Sequence, residues 1–457
     1  MHSGGLVTES TARRLYAALA EEQASRRLPS VTAVLSRDGS LAWREACGEA
    51  TGEPGLNPSD LQYRVGSITK TMTAVLVLQL RDEGALSLND PVAEYVPEVG
   101  DLDVTLRSLL AHSSGLAAEP AGPWWERSAG RGFEDLLAAL AEPAPFEPGR
   151  TYHYSNLGYG LLGEVVARLR GTSWWEVLSA RLLEPLAMLR TSYDAFDPHA
   201  QGYSVHPWSG EVCAEPAVDT KAMAPAGQVW STVLDLATFA DFLVVGDERV
   251  LRASSIEEMA TPQSGSLADG LGAGYGLGLR LVPGGSGVRV GHTGSMPGFQ
   301  AGLFVDRARR TGVVVMANST VGLRAERLAG RLLDLVEDAE PTVVAPWRPT
   351  TELPRQVAPV LGVWFWGNTA LEATWDGTSL RLAPPDHSSA GSTFRLRDGV
   401  LVGESGYHHG EQLTLVRGQD GTAGHLTCST FVLTRTPYDP SAPIPGGVPR
   451  PGERHRG

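Results

Sequence analysis

Apolar and polar positions follow several distinct rhythms along this 457-residue chain. Ser10 to Arg26 places Leu15 and Leu19 at helical spacing, and the runs Val31 to Leu35 and Ser40 to Arg44 read as strands joined across Asp38-Gly39. From Thr69 to about Asp82 (TKTMTAVLVLQLRD) a helix would be apolar on nearly every side, which predicts burial in the middle of a domain. Between about Leu86 and Met223 the pattern turns helical, at Phe133 to Ala141, Leu157 to Arg170 and Trp174 to Leu183, with Pro- and Gly-rich loops between.

Strand rhythm returns at Gly276 to Val282, Gly287 to His292, Gln300 to Asp306 and Gly312 to Ala317, and a helix follows around Leu323 to Glu337. With the opening hairpin these predict an α/β (α+β) domain over residues 1–340: one antiparallel sheet flanked by its first and last helices, with a helical subdomain at about 86–223. A Pro-rich linker at 341–354 leads to short strands turning at Asp376-Gly377, Asp398-Gly399 and Asp420-Gly421, which predict a small all-β domain over 355–436. Residues 437–457, rich in Pro, Gly and Arg, carry too little apolar surface to fold and read as a disordered tail.

Composition narrows the functional classes. A hydrophobic content of 42% supports packed cores in a soluble protein, and a net charge of −14 excludes the concentrated basic surface that nucleic acid requires. Cys47, Cys213 and Cys428 are odd in number, far apart and without a CxxC pair, so they read as inert thiols rather than a disulfide framework or a zinc site. The opening residues show no basic-then-apolar leader and no later stretch is long and apolar enough for a membrane span, so a cytoplasmic location is expected.

One detail bears on chemistry. Of 38 basic residues only Lys70 and Lys221 are lysines, and the other 36 are arginines. An amine can give up its proton in a suitable environment and a guanidinium effectively cannot, so Lys70 stands out as a position arginine could not fill if a base is needed.

Ser67 and Lys70 lie three residues apart at the start of the buried helix, on one face of it, where hydroxyl and amine can share a hydrogen bond. A serine hydroxyl needs an adjacent base to become a good nucleophile, and a lysine made neutral by burial supplies one, while N–H groups at the helix start favour developing negative charge. The alternative is a helix-start serine beside a surface lysine. In Tyr152-His153-Tyr154-Ser155-Asn156 the alternatives are aromatic packing with a helix cap at Ser155 or Asn156, or a proton relay through Tyr154 with Asn156 bonding a substrate amide or the lysine. Gly291-His292-Thr293-Gly294-Ser295 ends a strand, and its glycines permit close approach of a ligand to the backbone.

Together, Ser67-Ile68-Thr69-Lys70, Tyr154-Ser155-Asn156 and His292-Thr293-Gly294 resemble the S-x-x-K, Y-x-N and K/H-T-G trio of class C β-lactamases, penicillin-binding proteins and their esterase and D-aminopeptidase relatives. Leu109 to Leu116, Phe146 to Gly149 and Pro225 to Thr232 add to the likeness, which spans roughly Leu15 to Val336. The resemblance implies a β-lactamase-like fold, with the site in a cleft between sheet and helical subdomain. It also implies an acyl-enzyme on Ser67, proton transfer by Lys70 and Tyr154, and an oxyanion hole from the backbone N–H groups of Ser67 and Ser295. Asn156, His292, Thr293 and Gly294 would position substrate, and this chemistry needs no metal or organic cofactor.

Two departures from that pattern shift the expectation. His292 stands where many β-lactamases carry a lysine, which weakens the grip on a substrate carboxylate and points to small esters, amides or short D-amino-acid peptides. Gln228 stands where relatives often have a second glycine and is expected to narrow the site. The alternatives are a β-lactamase or D,D-carboxypeptidase, or a module that is acylated by β-lactams and does not turn over. Trp124-Trp125 either line the cleft or pack in the core, His112 reads as a structural hydrogen-bonding residue, and His408, His409 and His425 lack metal-ligand spacing and read as a surface hairpin. Neither the role of the β domain nor the oligomeric state can be read from the residues.

Overall fold

Strand alternation sorts the first part of the chain into two packed layers on either side of one sheet. The computed structural model describes residues 7–50, 56–140, 144–265, 274–285, 287–340, 346–347, 349, 352–386, 388–417 and 423–438. The chain start, most of the Pro-rich linker, the Asp420-Gly421 turn and nearly all of the expected tail lie outside these residues. The chain divides into two compact units, Met1–Val343 and Val344–Gly457.

The first unit runs α1 (Glu9–Arg26), β1 (Ser30–Arg37), β2 (Ser40–Gly48), α2 (Ile68–Asp82), α3 (Phe133–Leu140), α4 (Asn156–Arg170), α5 (Trp174–Leu178), α6 (Val233–Val245), β3 (Gly274–Tyr275), β4 (Arg280–Gly284), β5 (Gly287–Met296), β6 (Phe299–Asp306), β7 (Thr311–Ala317) and α7 (Ala325–Ala339), with further short helices and strands between. Among the described residues the strands form a seven-stranded antiparallel sheet in the order β2-β1-β7-β6-β5-β4-β3.

Side chains alternate across the sheet as pleating requires. Ala33, Leu35, Val313 and Val315 join Leu15 and Leu19 of α1 and Leu328 and Leu332 of α7 in one core, while Val34, Val314 and Met316 join Met72 and Val75 of α2 and Leu236 and Phe239 of α6 in the other. First and last helices thus flank one face as expected. The helix α6, which the sequence reading passed over, covers the other face together with α2.

Two expected elements differ. Gly276 to Val282 is not one strand: the chain breaks between β3 and β4, where Gly278 takes φ +74 and its carbonyl accepts from the Thr71 hydroxyl of α2 at 2.7 Å. Trp174 to Leu183 starts as the helix α5 and widens into a π-type turn at Ser179–Leu183.

In the second unit, β8 (Gly362–Trp366), β9 (Thr369–Trp375), β10 (Ser379–Ala383), β11 (Ser392–Arg397), β12 (Val400–Ser405), β13 (Gln412–Arg417), β14 (Ala423–Cys428) and β15 (Phe431–Thr434) close into a barrel, β15 pairing back onto β8. Trp364, Leu380, Phe394 and Leu426 fill its interior. Asp398 and Gly399 both take positive φ, 49° and 82°, as a two-residue hairpin loop demands.

Candidate active site

The turn that carries Ser67 is built by backbone contact. Tyr63–Arg64 pairs with Trp230–Ser231, Val65 N–H donates to the Val229 carbonyl at 2.9 Å, and Gly66 turns the chain with φ +51 into α2. A Cβ on Gly66 would lie 2.5 Å from the Ser295 nitrogen, and one on Gly294 would lie 1.8 Å from the Val65 oxygen. Only glycine at both positions lets the turn and β5 approach so closely, and that approach brings the backbone nitrogens of Ser67 and Ser295 to the same spot. Register places His292, Thr293, Gly294 and Ser295 opposite Leu303, Gly302, Ala301 and Gln300.

Ser67 occupies the cap position of α2, yet its hydroxyl makes no capping bond. It instead accepts from Lys70 Nζ at 3.0 Å, and the same amine donates to the Ala226 carbonyl at 2.7 Å. The surface-lysine alternative fails, because Lys70 is wholly buried, with the Tyr154 and Tyr159 rings 5.0 and 5.7 Å from its nitrogen. Burial pulls the amine down to about 7, against the opposing pull of the Glu119 and Glu126 carboxylates. Near neutrality a large share of Lys70 is therefore an unprotonated amine within reach of the serine proton.

Tyr154 stands at the same point. Burial pushes its phenol well above the usual tyrosine range, against a hydrogen bond with Ser67, so it remains a neutral donor able to pass a proton on. His112, at φ 54, backs it: the ring lies 4.1 Å from the Tyr154 ring and its Nδ1 accepts from Ser155 N–H at 3.1 Å. Ser155 caps α4, its hydroxyl accepting from Gly158 N–H at 3.2 Å, so the helix cap falls on Ser155 while the neighbouring Tyr154 meets Ser67.

Other site residues depart from expectation. Asn156 does not reach the lysine: its amide N–H donates to Glu119 at 2.7 Å and its buried Oδ1 has no partner among the described residues. It therefore presents an acceptor next to a carboxylate. Trp125 and Trp124 donate to Glu119 and Glu126 at 2.7 and 2.8 Å, holding acidic groups near the site rather than forming an apolar wall. Gln228 does not narrow the site, because its side chain is buried as a hub, bonded to Arg64, to the Thr220 backbone and hydroxyl, and to the Tyr193 carbonyl.

His292 is held neutral, its burial lowering the imidazole to about 3. Its Nδ1–H donates to the Thr293 carbonyl, which leaves Nε2 to accept from the Tyr275 hydroxyl at 2.8 Å. Both ring nitrogens are thus committed to the protein.

Ser67, Tyr154, His292, Thr293, Gly294 and Ser295 line one cavity of about 630 Å³, which the sequence reading did not show to contain arginines as well. Arg280, Arg324 and Arg327 line it too. Arg280 pairs with Glu326 at 3.0 Å, while the guanidinium groups of Arg324 and Arg327 have no carboxylate partner among the described residues, Arg324 bonding Glu22 through its backbone N–H alone. Nothing in their spacing marked them, since arginine is everywhere in this chain.

The family model described as Beta-lactamase matches residues 15–337, and one described as Domain of unknown function (DUF7586) matches 353–435. Beta-lactamase-like protein 2 of Dictyostelium discoideum is 29% identical over 254 residues, 51% of this chain and 45% of that protein. Esterase EstB of Burkholderia gladioli is 32% identical over 217 residues, 43% of this chain and 55% of that protein. The matched part thus spans about half the length of these relatives. A crystal structure of a D-stereospecific amidohydrolase from Streptomyces sp. is 28% identical with a TM-score of 0.59, covering 73% of this chain and 99% of the other.

Proposed function

This chain belongs to the Beta-lactamase family of serine hydrolases, and from that premise we propose that it cleaves an ester or amide bond beside a free amine, through an acyl-enzyme on Ser67. The observation that carries the proposal is the wholly buried Lys70 amine, lowered to about 7 and 3.0 Å from the Ser67 hydroxyl. Neutral Lys70 takes the Ser67 proton as Oγ adds to the carbonyl carbon, and the resulting oxyanion is held by the N–H groups of Ser67 and Ser295. The proton passes through Tyr154 to the leaving oxygen or nitrogen as that bond breaks. Water then attacks the acyl-enzyme, gives up a proton by the same route, and releases the acid and free Ser67.

The substrate class follows from charge. Glu119 and the unpartnered Asn156 Oδ1 form an acceptor-rich corner suited to an ammonium group on the acyl side. Similarity to a D-stereospecific amidohydrolase points to D-aminoacyl amides or short D-amino-acid peptides. Arg324 and Arg327 support a second reading in which the leaving side carries a carboxylate, as in a peptide or a β-lactam.

Rates on D-alanine p-nitroanilide, its N-acetyl analogue, a p-nitrophenyl ester and nitrocefin test this, each beside Ser67→Ala. The free-amine anilide should exceed its acetylated analogue at least tenfold in kcat/KM, and Glu119→Gln should narrow that gap. Equal rates on both anilides would overturn the amine preference. Failure of a fluorescent phosphonate to label Ser67 would overturn the nucleophile.

A further inference from the structure

We propose that His408, Glu411 and Cys428 in the barrel unit form a binding site for one divalent transition-metal ion of the zinc class, with an open coordination position. Glu411 follows His408 by three residues in the turn before β13, and Cys428 ends β14, the strand paired with β13 at Leu413↔Cys428. Pairing of the consecutive strands β13 and β14 therefore brings together residues 17 positions apart, from Glu411 to Cys428. One ligand atom from each lies within 4.8 Å of the others.

The distances suit a metal. His408 Nδ1 is 2.7 Å from Glu411 Oε2, and Cys428 Sγ is 3.6 Å from the same oxygen. With Zn–N and Zn–O near 2.0–2.1 Å and Zn–S near 2.3 Å, tetrahedral ligand atoms sit about 3.2–3.6 Å apart, so only small side-chain shifts separate this cluster from a coordination shell. The His408 ring is already held, 5.1 Å from both Tyr407 and Phe431 and 6.3 Å from Phe394.

The chemistry of the set points the same way. Imidazole, carboxylate and thiolate together suit a borderline-soft divalent ion better than calcium or magnesium, which prefer all-oxygen shells. Binding would release the thiol proton and move the imidazole proton to Nε2, so two anionic ligands and a doubly charged ion leave a neutral centre, the cheapest state to bury. In the free protein Cys428 is fully buried. His408 also lines a cavity of about 580 Å³ bounded by Trp366, Tyr407, Phe431 and Leu433, which gives solvent or a ligand donor access to the fourth position.

Titration of the untagged full-length chain with Co²⁺, followed by competition with Zn²⁺, tests the site. One Co²⁺ per chain with a thiolate-to-metal charge-transfer band, lost on adding Zn²⁺, is the expected result. Cys428→Ser should abolish the band, His408→Gln and Glu411→Gln should each weaken binding at least tenfold, and Cys47→Ser/Cys213→Ser should leave it unchanged. Circular dichroism identifies any variant that fails to fold. Glu411, the most exposed of the three ligands at 35%, gives a variant with least risk to the barrel. Absence of the band in the folded parent chain, or its persistence in folded Cys428→Ser, would overturn the proposal and leave the cluster a hydrogen-bonded latch.

Discussion

Lys70 shows how far burial lowers an ordinary amine. If the neutral amine is the base, kcat/KM on the p-nitrophenyl ester, chosen without an amine of its own, should rise with pH through about 7 and then level, since Tyr154 ionises far above and His292 far below that range. An acid limb near the carboxylate range, about 4, would assign the base elsewhere. The same shift has a stability signature. The unfolded chain keeps the lysine proton up to about 10.5 while the folded chain releases it near 7, so between these values the unfolded state binds more protons. Stability should therefore rise with pH across that window, by up to about 1.4 kcal/mol per unit, and be lost as pH falls toward 7. Lys70→Met removes the linkage, so urea midpoints at pH 7 and 9.5 should show the parent gaining on the variant at the higher pH.

At the scale of elements, the site depends on where α2, α4 and β5 begin and how closely they meet. Gly294→Ala would force a Cβ into the Val65 carbonyl, displacing the Ser295 nitrogen from the oxyanion position. Activity should fall by on the order of 10²-fold, the loss typical of removing one oxyanion donor, with a lowered Tm. Ser155→Ala removes the cap of α4 and should cost about 1 kcal/mol in chemical denaturation.

For the whole molecule, the cores of the two units share no residue, and the barrel closes on itself with Trp364 wholly buried. A fragment spanning 352–438 should therefore fold alone, giving a dispersed amide spectrum and a cooperative unfolding transition. A collapsed spectrum would mean the barrel needs the rest of the chain. At net charge −14, salt-dependent retention on nucleic acid is not expected either.

What the residues determine by themselves is local: helix stripes, strand alternation, hairpin turns such as Asp398-Gly399, and the spacing of Ser67 from Lys70. These depend on neighbours a few positions away, which is why α1, α2 and most of the sheet strands were legible while the break at Gly278, imposed by contact with α2, was not. The order of the three motifs pointed to Ser67 as a candidate nucleophile, and the fold brings Ser67, Lys70 and Tyr154 together. Only the tertiary structure decides the rest, because desolvation and long-range contact have no signature in spacing. It buries Lys70 and lowers its amine, turns Asn156 toward Glu119, commits both nitrogens of His292, gathers Arg324 and Arg327 at the cavity, and brings Cys428 near His408 through the pairing of β13 with β14.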